Sequence, residues 1–429
     1  MRDKLSTEPY KGVRDFYPEE QAFLNYFMRV ARQVLESAGY VEYGASILEP
    51  AELYKAKGAE NEEIVSEQTY TFTDRGEREV TLRPEMTPTV ARMVAAKRRS
   101  LGFPLRFFSI PNVFRYERPQ KGRLREHWQL NVDLFGSRSV SADAEIIRIA
   151  HDLLISFGAK DGEFEIQVND RRIMEDLLNK IVGIESSETR QVIRLLDRFE
   201  KAKAETTAKI AELIGDQKLA RLIEALSGET TMNRLHAVSE PFEAFQNMRT
   251  ELAAAEIKTR YNHALTRGFD YYTGMVFEVF DTSGENTRSL FGGGRYDNLT
   301  QLFDDEPLPG VGFGMGDVTL YDFLKTHELL PAYRPPTDLY IAITSPEYAL
   351  AAQTFAGELR GAGVNTAIDF GEKKNVGDQI KTAAKHQIPY VIVLGPDELA
   401  SGQVKLRDLA SGQERALARG EVAAAIRGA

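Results

Sequence analysis

Hydrophobic residues recur at helical spacing near the start of the chain. Between residues 18 and 38, apolar side chains such as Phe23, Phe27 and Val30 are three or four positions apart, and Gly39 follows. This spacing places them on one face of a helix, and the Pro-Glu-Glu that opens the segment suits a first helical turn. The pattern therefore predicts an amphipathic helix over 18–38.

From residue 40 to residue 136 the pattern changes to short alternating runs. The segment "TYTFTDRGEREVTLRP" predicts two strands about an Asp-Arg-Gly-Glu turn, and "PLRFFSIPNVFRYE" and "WQLNVDLFG" predict further strands. Between the last two segments lies "RYERPQKGRLRE". This predicts two antiparallel strands joined by a mobile, arginine-rich loop.

Helical and strand patterns divide the rest of the chain. A helix is predicted over 141–158 and a strand at "EFEIQVND", after which residues 171–256 are nearly all helical by pattern and read as an insertion. Strands resume at "MVFEVFD" and "GVGFGMG". "ELLPAYRPPTD" has three Pro in eleven residues and predicts a linker at 331–337 between domains at 1–330 and 338–429. The last domain alternates strand and helix, which predicts a small α/β fold with a mostly parallel sheet.

Composition narrows the function classes. The chain has no Cys, which excludes disulfides, thiolate zinc sites and Cys nucleophiles, and its six His form no close pair, so no metal site is expected from thiols or His. No window is apolar enough for a membrane span and the start lacks an apolar signal core, so a cytoplasmic protein is expected. The net charge of −10 argues against general coating of nucleic acid.

Charge is distributed unevenly. Residues 92–125 hold ten Lys or Arg against Glu117 alone. A charge run is usually a solvated surface. Here, however, Arg115 and Arg123 flank a turn in a strand context, so both guanidiniums could converge on one phosphate and stabilise charge that develops during its transfer.

Three other segments could carry chemistry, and each has a structural alternative. In "GVGFGMG" alternate glycines leave one strand face bare, for a flat ring or for close packing. In "LTRGFDYYTGM", Arg267 and the neighbouring phenols of Tyr271 and Tyr272 suit a small zwitterion, although a Tyr pair is often a core edge. In "TLRPEMTPTVARM", Glu85 and Thr87 lie at a strand-to-helix junction, where Thr87 could cap the helix that Pro88 opens.

Taken together, these motifs resemble the histidyl-tRNA synthetases, a family of class II aminoacyl-tRNA synthetases. The resemblance covers nearly the whole chain: "KGVRDFYPEE", "LRPEMTPTVAR", "RYERPQKGRLREHWQLNVDLFG" as motif 2, "RGFDYY" and "GGGRYD" as histidine signatures, "GVGFGMG" as the start of motif 3, and "VGDQIKTAAKHQIPYVIVLG" near the end. It implies an α/β protein: an α+β catalytic core with an antiparallel sheet flanked by helices, a helical insertion and a C-terminal α/β anticodon-binding domain.

The resemblance also implies the reaction and the ATP contacts. ATP with Mg²⁺, L-histidine and tRNA(His) would be the substrates of a cytoplasmic homodimer that forms histidyl-adenylate. Arg115 would hold the α-phosphate and Arg123 the outer phosphates, beside the backbone of Gly314 and Gly316. Arg267 would pair with both the histidine carboxylate and the α-phosphate.

The remaining implied contacts concern histidine and tRNA. The histidine residues would be Glu85, Thr87 and Gln129 at the ammonium group, Asp133 and Tyr272 at the imidazole nitrogens, and Tyr271 and Tyr296 around the pocket. Arg118 and Gln120 would meet the tRNA acceptor end, and the 171–256 insertion would brace the acceptor arm. A pocket that hydrogen-bonds both imidazole nitrogens rejects apolar competitors by roughly 10⁴ to 10⁵, so no editing domain is expected.

The sequence departs from the family pattern at three positions. The Arg that usually closes motif 3 is missing from "GMGDVTLYDFL", where Asp317, Val318 and Thr319 stand, and Arg295 is one candidate substitute. The motif 1 proline at the dimer interface aligns best with Ser46. Asp133 stands where many bacterial relatives have Glu.

Two other functions are weighed against the active enzyme. A catalytically silent, synthetase-like regulatory subunit of histidine biosynthesis would explain the missing Arg, but it gives no reason to keep Arg115, Arg123, Arg267 and a C-terminal domain. Class II synthetases for glycine, threonine or proline share that domain, but "RGFDYY" and "GGGRYD" oppose them.

Overall fold

The computed structural model describes residues 5–55, 68–196, 203–227, 230–263, 265, 272–303, 306–370 and 375–428. The chain divides into two compact units, Met1–Leu330 and Pro331–Ala429. Each unit is described below by itself. Among the described residues, no helix combines the length and the hydropathy needed to cross a membrane.

Twelve strands of the first unit lie within the described residues. They are β1 Val41–Glu42, β2 Leu48–Pro50, β3 Tyr70–Thr73, β4 Glu79–Leu82, β5 Leu105–Ser109, β6 Asn112–Phe114, β7 Glu126–Phe135, β8 Phe164–Asp170, β9 Thr259–Tyr261, β10 Met275–Asp281, β11 Ser289–Arg295 and β12 Gly310–Gly316. The described strands form a nine-stranded sheet in the order β1-β5-β7-β12-β11-β10-β8-β9, with β6 paired to β7, and a small sheet β2-β4-β3. The large sheet is antiparallel except at β1–β5 and β8–β9. The predicted antiparallel sheet is therefore confirmed.

Helices flank this sheet. The described α-helices of the first unit are α1 Pro18–Ser37, α2 Glu52–Lys55, α3 Thr87–Lys97, α4 Val140–Ser156, α5 Arg171–Asp176, α6 Ser186–Leu196, α7 Lys203–Ile214, α8 Asp216–Ser227, α9 Thr230–Val238, α10 Glu240–Ala254 and α11 Asp317–Thr326. The helix predicted over 18–38 ends at Ser37, before Gly39 with φ +81°. Helices α5 to α10, with a π-helical turn at Leu177–Val182, occupy the segment that was predicted to be helical.

The two faces of the large sheet differ in character. Register places Val132, Phe313 and Phe277 on one face, where they join the core formed with α1, α4, α10 and α11. The opposite face carries Asp133, Gly312, Gly294, Val276 and Asn169 in a row across five strands. Side chains alternate between faces along a strand, so apolar burial on one face leaves the other for polar and glycine positions. That second face holds the candidate site.

The predicted turn between β3 and β4 is confirmed. The Asp74 carboxylate accepts hydrogen bonds from the backbone N–H groups of Gly76 at 2.8 Å and Arg78 at 3.0 Å. Glu77 has φ +60°, the left-handed conformation that is common at the last position of a three-residue hairpin loop. The side chain of Asp74 thus closes the hairpin.

The second unit is an α/β fold with a mixed sheet. Its described strands are β13 Leu339–Ile343, β14 Thr366–Ile368, β15 Tyr390–Leu394, β16 Gln403–Asp408 and β17 Glu414–Ala418, and its described α-helices are α12 Ala349–Gly361, α13 Val376–Lys385, α14 Pro396–Ser401 and α15 Val422–Arg427. Strands β14, β13 and β15 are parallel, but β16 and β17 add an antiparallel hairpin. The predicted parallel arrangement is confirmed for β14, β13 and β15, whereas the antiparallel hairpin was not predicted.

Candidate active site

The glycines of β12 make room for the polar side chains of the site. A Cβ atom at Gly312 would lie 2.6 Å from Asp133 Oδ1, and one at Gly314 would lie 2.8 Å from Gln129 Nε2. A Cβ at Gly310 would lie 2.5 Å from the ring of Tyr296. The bare strand face predicted from the sequence is thus covered by three residues that the family resemblance assigned to histidine.

Asp133 is the electrostatic centre of this face. Its side chain is buried, and Oδ1 accepts a hydrogen bond from the Tyr296 hydroxyl. Oδ2 is also buried and has no hydrogen-bond partner among the described residues. Burial raises the pKa of Asp133 to about 7, while the bond from Tyr296 opposes this rise. Asp133 therefore offers one unsatisfied acceptor, and Tyr296 orients the carboxylate as well as forming a wall.

Tyr272 lies further along the same face. A Cβ at Gly294 would approach its ring within 2.8 Å, so this glycine permits the ring to lie close against β11. Asn169 ends the same row of residues, and its amide nitrogen donates to the carbonyl of Leu265 at 2.8 Å. Its Oδ1 is a second buried acceptor without a partner in the described part of the chain. Such acceptors suit a ligand that carries several N–H donors.

The basic loop lies between β6 and β7, as predicted. The Arg115 N–H donates to the carbonyl of Arg125 at 2.9 Å, which closes the base of the loop. Nε of Arg115 donates to the carbonyl of Pro84 at 2.9 Å, next to Glu85, so motif 2 contacts the segment assigned to the ammonium group. Glu85 itself is buried.

The other loop residues are more exposed. Arg123 forms an ion pair with Glu117 at 3.1 Å and is half exposed. Arg118 and Gln120 are exposed at the loop tip, where Gln120 and Arg123 form a bridge. The convergence of Arg115 and Arg123 on one phosphate stays a prediction.

The N-terminal segment lies across this loop, a contact that the sequence did not indicate. The Arg125 N–H donates to the carbonyl of Gly12 at 2.7 Å, and its guanidinium donates to the Tyr10 hydroxyl at 3.1 Å. The guanidinium also lies 4.0 Å from the centre of the Tyr116 ring. Gly12 has φ +89°, and a Cβ there would lie 2.9 Å from the side chains of Arg125 and Pro119. Close approach therefore requires glycine at this position.

The junction of β12 and α11 holds a buried ion pair. Asp317, in the region where the family usually has an Arg, is fully buried and binds Arg14 Nη2 at 2.7 Å. Its other oxygen accepts the Trp128 N–H at 2.9 Å. Thr319 supplies no cation, and its hydroxyl donates to the carbonyl of Leu290 at 2.6 Å.

Arg295 is not free to replace the missing motif 3 Arg. Its guanidinium is 4% exposed and binds Asp143 at 2.7 Å and Asp297 at 3.2 Å. It also donates to the carbonyl of Ser137 at 2.9 Å. The suggestion that Arg295 contacts the nucleotide is therefore wrong, because buried partners already occupy this side chain.

The predicted helix cap at Thr87 is not found, and two predicted site residues lie outside the part of the chain that the structure describes. The structure does not support Thr87 as a helix cap: α3 begins at Thr87 itself, Met86 is the N-cap, and no side chain makes a capping hydrogen bond. Arg267 and Tyr271 lie outside the described residues.

Several polar residues on or beside this sheet face were missed at the sequence level. Asn131 shares the polar face with Gln129 and Asp133, and their alternation in "WQLNVDLFG" is the signal that could have identified it. Gln167 and Asn169 alternate in the same way on β8. Only Asp317 could have pointed to Arg14, and only indirectly. A buried carboxylate at that position is expected to pair with a cation from another part of the chain.

Comparison with known proteins gives a consistent set of matches. A family model described as "Histidyl-tRNA synthetase" matches residues 12–318, and one described as "Anticodon binding domain" matches residues 338–428. The histidine–tRNA ligase of Leptospira biflexa is 42% identical over 417 residues, which cover 95% of this chain and 94% of that protein. That of Opitutus terrae is 38% identical and covers 97% of both chains.

A solved structure supports the same architecture. The crystal structure of histidyl-tRNA synthetase from Nostoc sp. PCC 7120 matches with a TM-score of 0.83 at 24% sequence identity. The match covers 99% of this chain and 100% of that chain. At this identity the likeness shows that the fold is shared.

Proposed function

Because the chain belongs to the histidyl-tRNA synthetase family, we propose that it joins L-histidine to tRNA(His) at the expense of ATP. In the first step a carboxylate oxygen of histidine attacks the α-phosphorus of ATP, which forms histidyl-adenylate and releases pyrophosphate. In the second, a hydroxyl of the terminal ribose of the tRNA attacks the acyl carbon and AMP leaves. The match to relatives over nearly the whole chain does not favour a silent regulatory subunit.

One observation carries the proposal: Asp133 is a buried carboxylate with one oxygen unpaired among the described residues, on a glycine-rich face. Its unpaired oxygen can accept a hydrogen bond from an imidazole N–H. Tyr296 holds the other oxygen, and Tyr272 lies on the same face for the second imidazole nitrogen. A buried polar group of this kind rejects ligands that cannot pair with it.

The phosphate chemistry belongs to the basic loop and its neighbours. Arg115, held at Pro84, binds the α-phosphate, and Arg123 exchanges Glu117 for the outer phosphates of MgATP. Arg267 pairs with the histidine carboxylate and the α-phosphate, so that two anions can approach each other. Guanidiniums bind phosphate through paired hydrogen bonds and stabilise the charge that develops in the transition state.

The remaining assignments follow from position in the chain. Glu85, Thr87 and Gln129 bind the substrate ammonium group, while the backbone of Gly314 and Gly316 allows ATP to come close. Arg118 and Gln120 are exposed at the loop tip and meet the tRNA acceptor end. The 171–256 helices brace the acceptor arm, and residues 338–429 read the anticodon. A cytoplasmic homodimer completes the proposal.

Exchange of labelled pyrophosphate into ATP tests the first step. We expect exchange that depends on histidine in the wild type and a loss of at least about a hundredfold in Arg267→Ala, because a charged contact in the transition state is removed. Arg78→Ala is the matched control, since Arg78 is exposed and pairs with Asp74 on the surface hairpin. A wild type without histidine-dependent exchange would contradict the function. Full exchange in Arg267→Ala would contradict the mechanism alone.

A further inference from the structure

The ion pair between Arg14 and Asp317 joins distant parts of the chain beside the glycine strand. Arg14 lies in the N-terminal segment that crosses the basic loop, and Asp317 begins α11 directly after β12. Both oxygens of Asp317 are engaged, one by Arg14 and the other by the Trp128 N–H. Within the described residues the acid is therefore satisfied by two donors.

The guanidinium of Arg14 is held in a fixed orientation. It lies 4.9 Å from the centre of the Phe16 ring, and Phe16 packs edge-on against Trp128 with ring centres 5.1 Å apart. Its Nε is buried without a hydrogen-bond partner among the described residues. A buried N–H that lacks an acceptor costs free energy, so its retention is explained if a ligand supplies the acceptor.

The neighbourhood also has excess positive charge. Arg115 and Arg14 both act on the half-buried imidazole of His127, whose pKa is lowered to about 3 by desolvation and by these two cations. Asp317 offsets the charge of Arg14, whereas Arg115 donates to the neutral carbonyl of Pro84. Among the contacts of the described residues, the guanidiniums of Arg14 and Arg115 are therefore balanced by a single carboxylate, that of Asp317. An anionic ligand would balance them.

This excess positive charge lies next to the glycines of β12 that are assigned to ATP. His127 is 3.8 Å from the position of a Cβ at Gly316, one of the glycines assigned to ATP. Thr319, on the first turn of α11, is 3.7 Å from the position of a Cβ at Gly122 in the basic loop. Arg14 therefore reaches, from the other end of the chain, the region where Thr319 provides no charge.

We propose that Arg14 is a nucleotide-binding residue whose guanidinium, oriented by Asp317 and Phe16, donates its remaining N–H groups to phosphate oxygens of ATP. The inference rests on the proposed function. It assigns Asp317 a positioning role, because the carboxylate holds one side of the guanidinium while the other side faces the ligand. It also explains why an acid is tolerated beside a phosphate site: its charge is neutralised before ATP arrives.

Direct binding of α,β-methylene ATP to the full-length protein, measured by calorimetry without histidine or tRNA, tests the proposal. We expect Arg14→Ala to weaken binding about ten- to a hundredfold, the effect of one charge-assisted hydrogen-bonding group, and to leave histidine binding unchanged. Arg32→Ala is the matched control, because Arg32 forms an exposed ion pair with Glu42 in the same unit. It should bind the analogue like the wild type.

The double variant Arg14→Ala/Asp317→Asn separates binding from simple neutralisation. If Arg14 contacts the phosphates, the double variant binds the analogue as weakly as Arg14→Ala; recovery to wild-type affinity would overturn the proposal. Should Arg14→Ala fail to fold, Arg14→Gln keeps a donor for Asp317 without the charge, and unchanged binding in that variant would equally overturn it. Pyrophosphate exchange by the wild type reports separately on the proposed function.

Discussion

Asp133 is a carboxylate whose charge is unfavourable where it lies. It is 3% exposed, and burial raises its pKa from the ordinary 3.8 to about 7. The folded protein therefore binds this proton more tightly than the unfolded chain does. Because the proton is lost from the unfolded state near pH 4 and from the folded state near pH 7, the contribution of Asp133 to stability falls as pH rises between these values.

Replacing Asp133 by Asn should remove this dependence. We expect the free energy of unfolding of Asp133→Asn, relative to wild type, to increase by roughly 3 to 4 kcal/mol between pH 4 and pH 8, since one pKa unit corresponds to about 1.4 kcal/mol. Urea unfolding at pH 4, 6 and 8 measures the difference.

Tyr296→Phe gives a control of opposite sign. Its hydroxyl stabilises the ionised form of Asp133, so its loss should destabilise the protein at pH 8 more than at pH 4. A pH-independent difference between Asp133→Asn and wild type would show that Asp133 ionises in the folded protein as it does in the unfolded chain.

The positions of some single residues in the site could be predicted from the sequence, and those of others could not. Gln129 and Asp133 were assigned from the family resemblance, and alternation along β7 places them on one face of the sheet. The pairing of Arg14 with Asp317 could not be predicted, because the two residues are 303 positions apart and meet only through the path of the N-terminal segment. The hydrogen bond from Tyr296 to Asp133 likewise depends on the register of β7, β12 and the end of β11.

Arg295 links two elements of the first unit. It ends β11, and its guanidinium binds Asp143 in the first turn of α4. Both side chains are almost completely buried, and burial raises the pKa of Asp143 to about 6 although Arg295 lowers it. The desolvation cost of the pair is therefore large, and removal of one partner leaves a buried charge uncompensated.

Breaking this link should make the first unit easier to unfold. We expect Arg295→Met to lose about 3 to 5 kcal/mol of unfolding free energy, measured in urea at pH 7, because Asp143 would remain buried without its partner. The double variant Asp143→Leu/Arg295→Met should recover most of this loss, since it removes both charges. Equal losses in the single and double variants would indicate that the ion pair itself, rather than the orphaned acid, governs stability.

At the level of elements, helices and strands with regular apolar spacing were predictable, whereas exposed strands at the sheet edge were not. Helix α1 and the β3–β4 hairpin follow from local spacing and turn chemistry. The β16–β17 hairpin was missed because its outer strand is largely exposed and has no clear apolar alternation to mark it. The glycine face of β12 was recognised, but the residues that cover it come from β7 and the end of β11, which only the sheet order brings together.

Each of the two units of the molecule has its own core. Residues of β13, α12, β15 and β16 form one buried cluster in the second unit, and Tyr340, Ala342 and Ala383 belong to another on the opposite side of β13. Strand β13 lies between β14 and β15 in its sheet and is buried on both faces. A unit with a core on each face of a five-stranded sheet has the features of an independently folding domain.

The fragment 331–429 should therefore fold alone. We expect a single cooperative urea transition, followed by circular dichroism, with the few kcal/mol of stability typical of small domains. The matched control is 345–429, which lacks β13 and so loses the strand that joins β14 to β15. A shallow, non-cooperative transition is expected for that control, and the same result for 331–429 would show that the second unit needs the first.

The complementary fragment 1–330 separates the two halves of the proposed reaction. All residues proposed for ATP and histidine lie within it, so histidine-dependent pyrophosphate exchange should persist near the wild-type rate. Transfer of histidine to tRNA should fall strongly, because the fragment lacks the part that matches an anticodon-binding domain. Mixing in folded 331–429 should not restore transfer, since the covalent link that raises the local concentration of the second unit is absent. Loss of exchange by a folded 1–330 fragment would mean that adenylate formation depends on residues beyond 330.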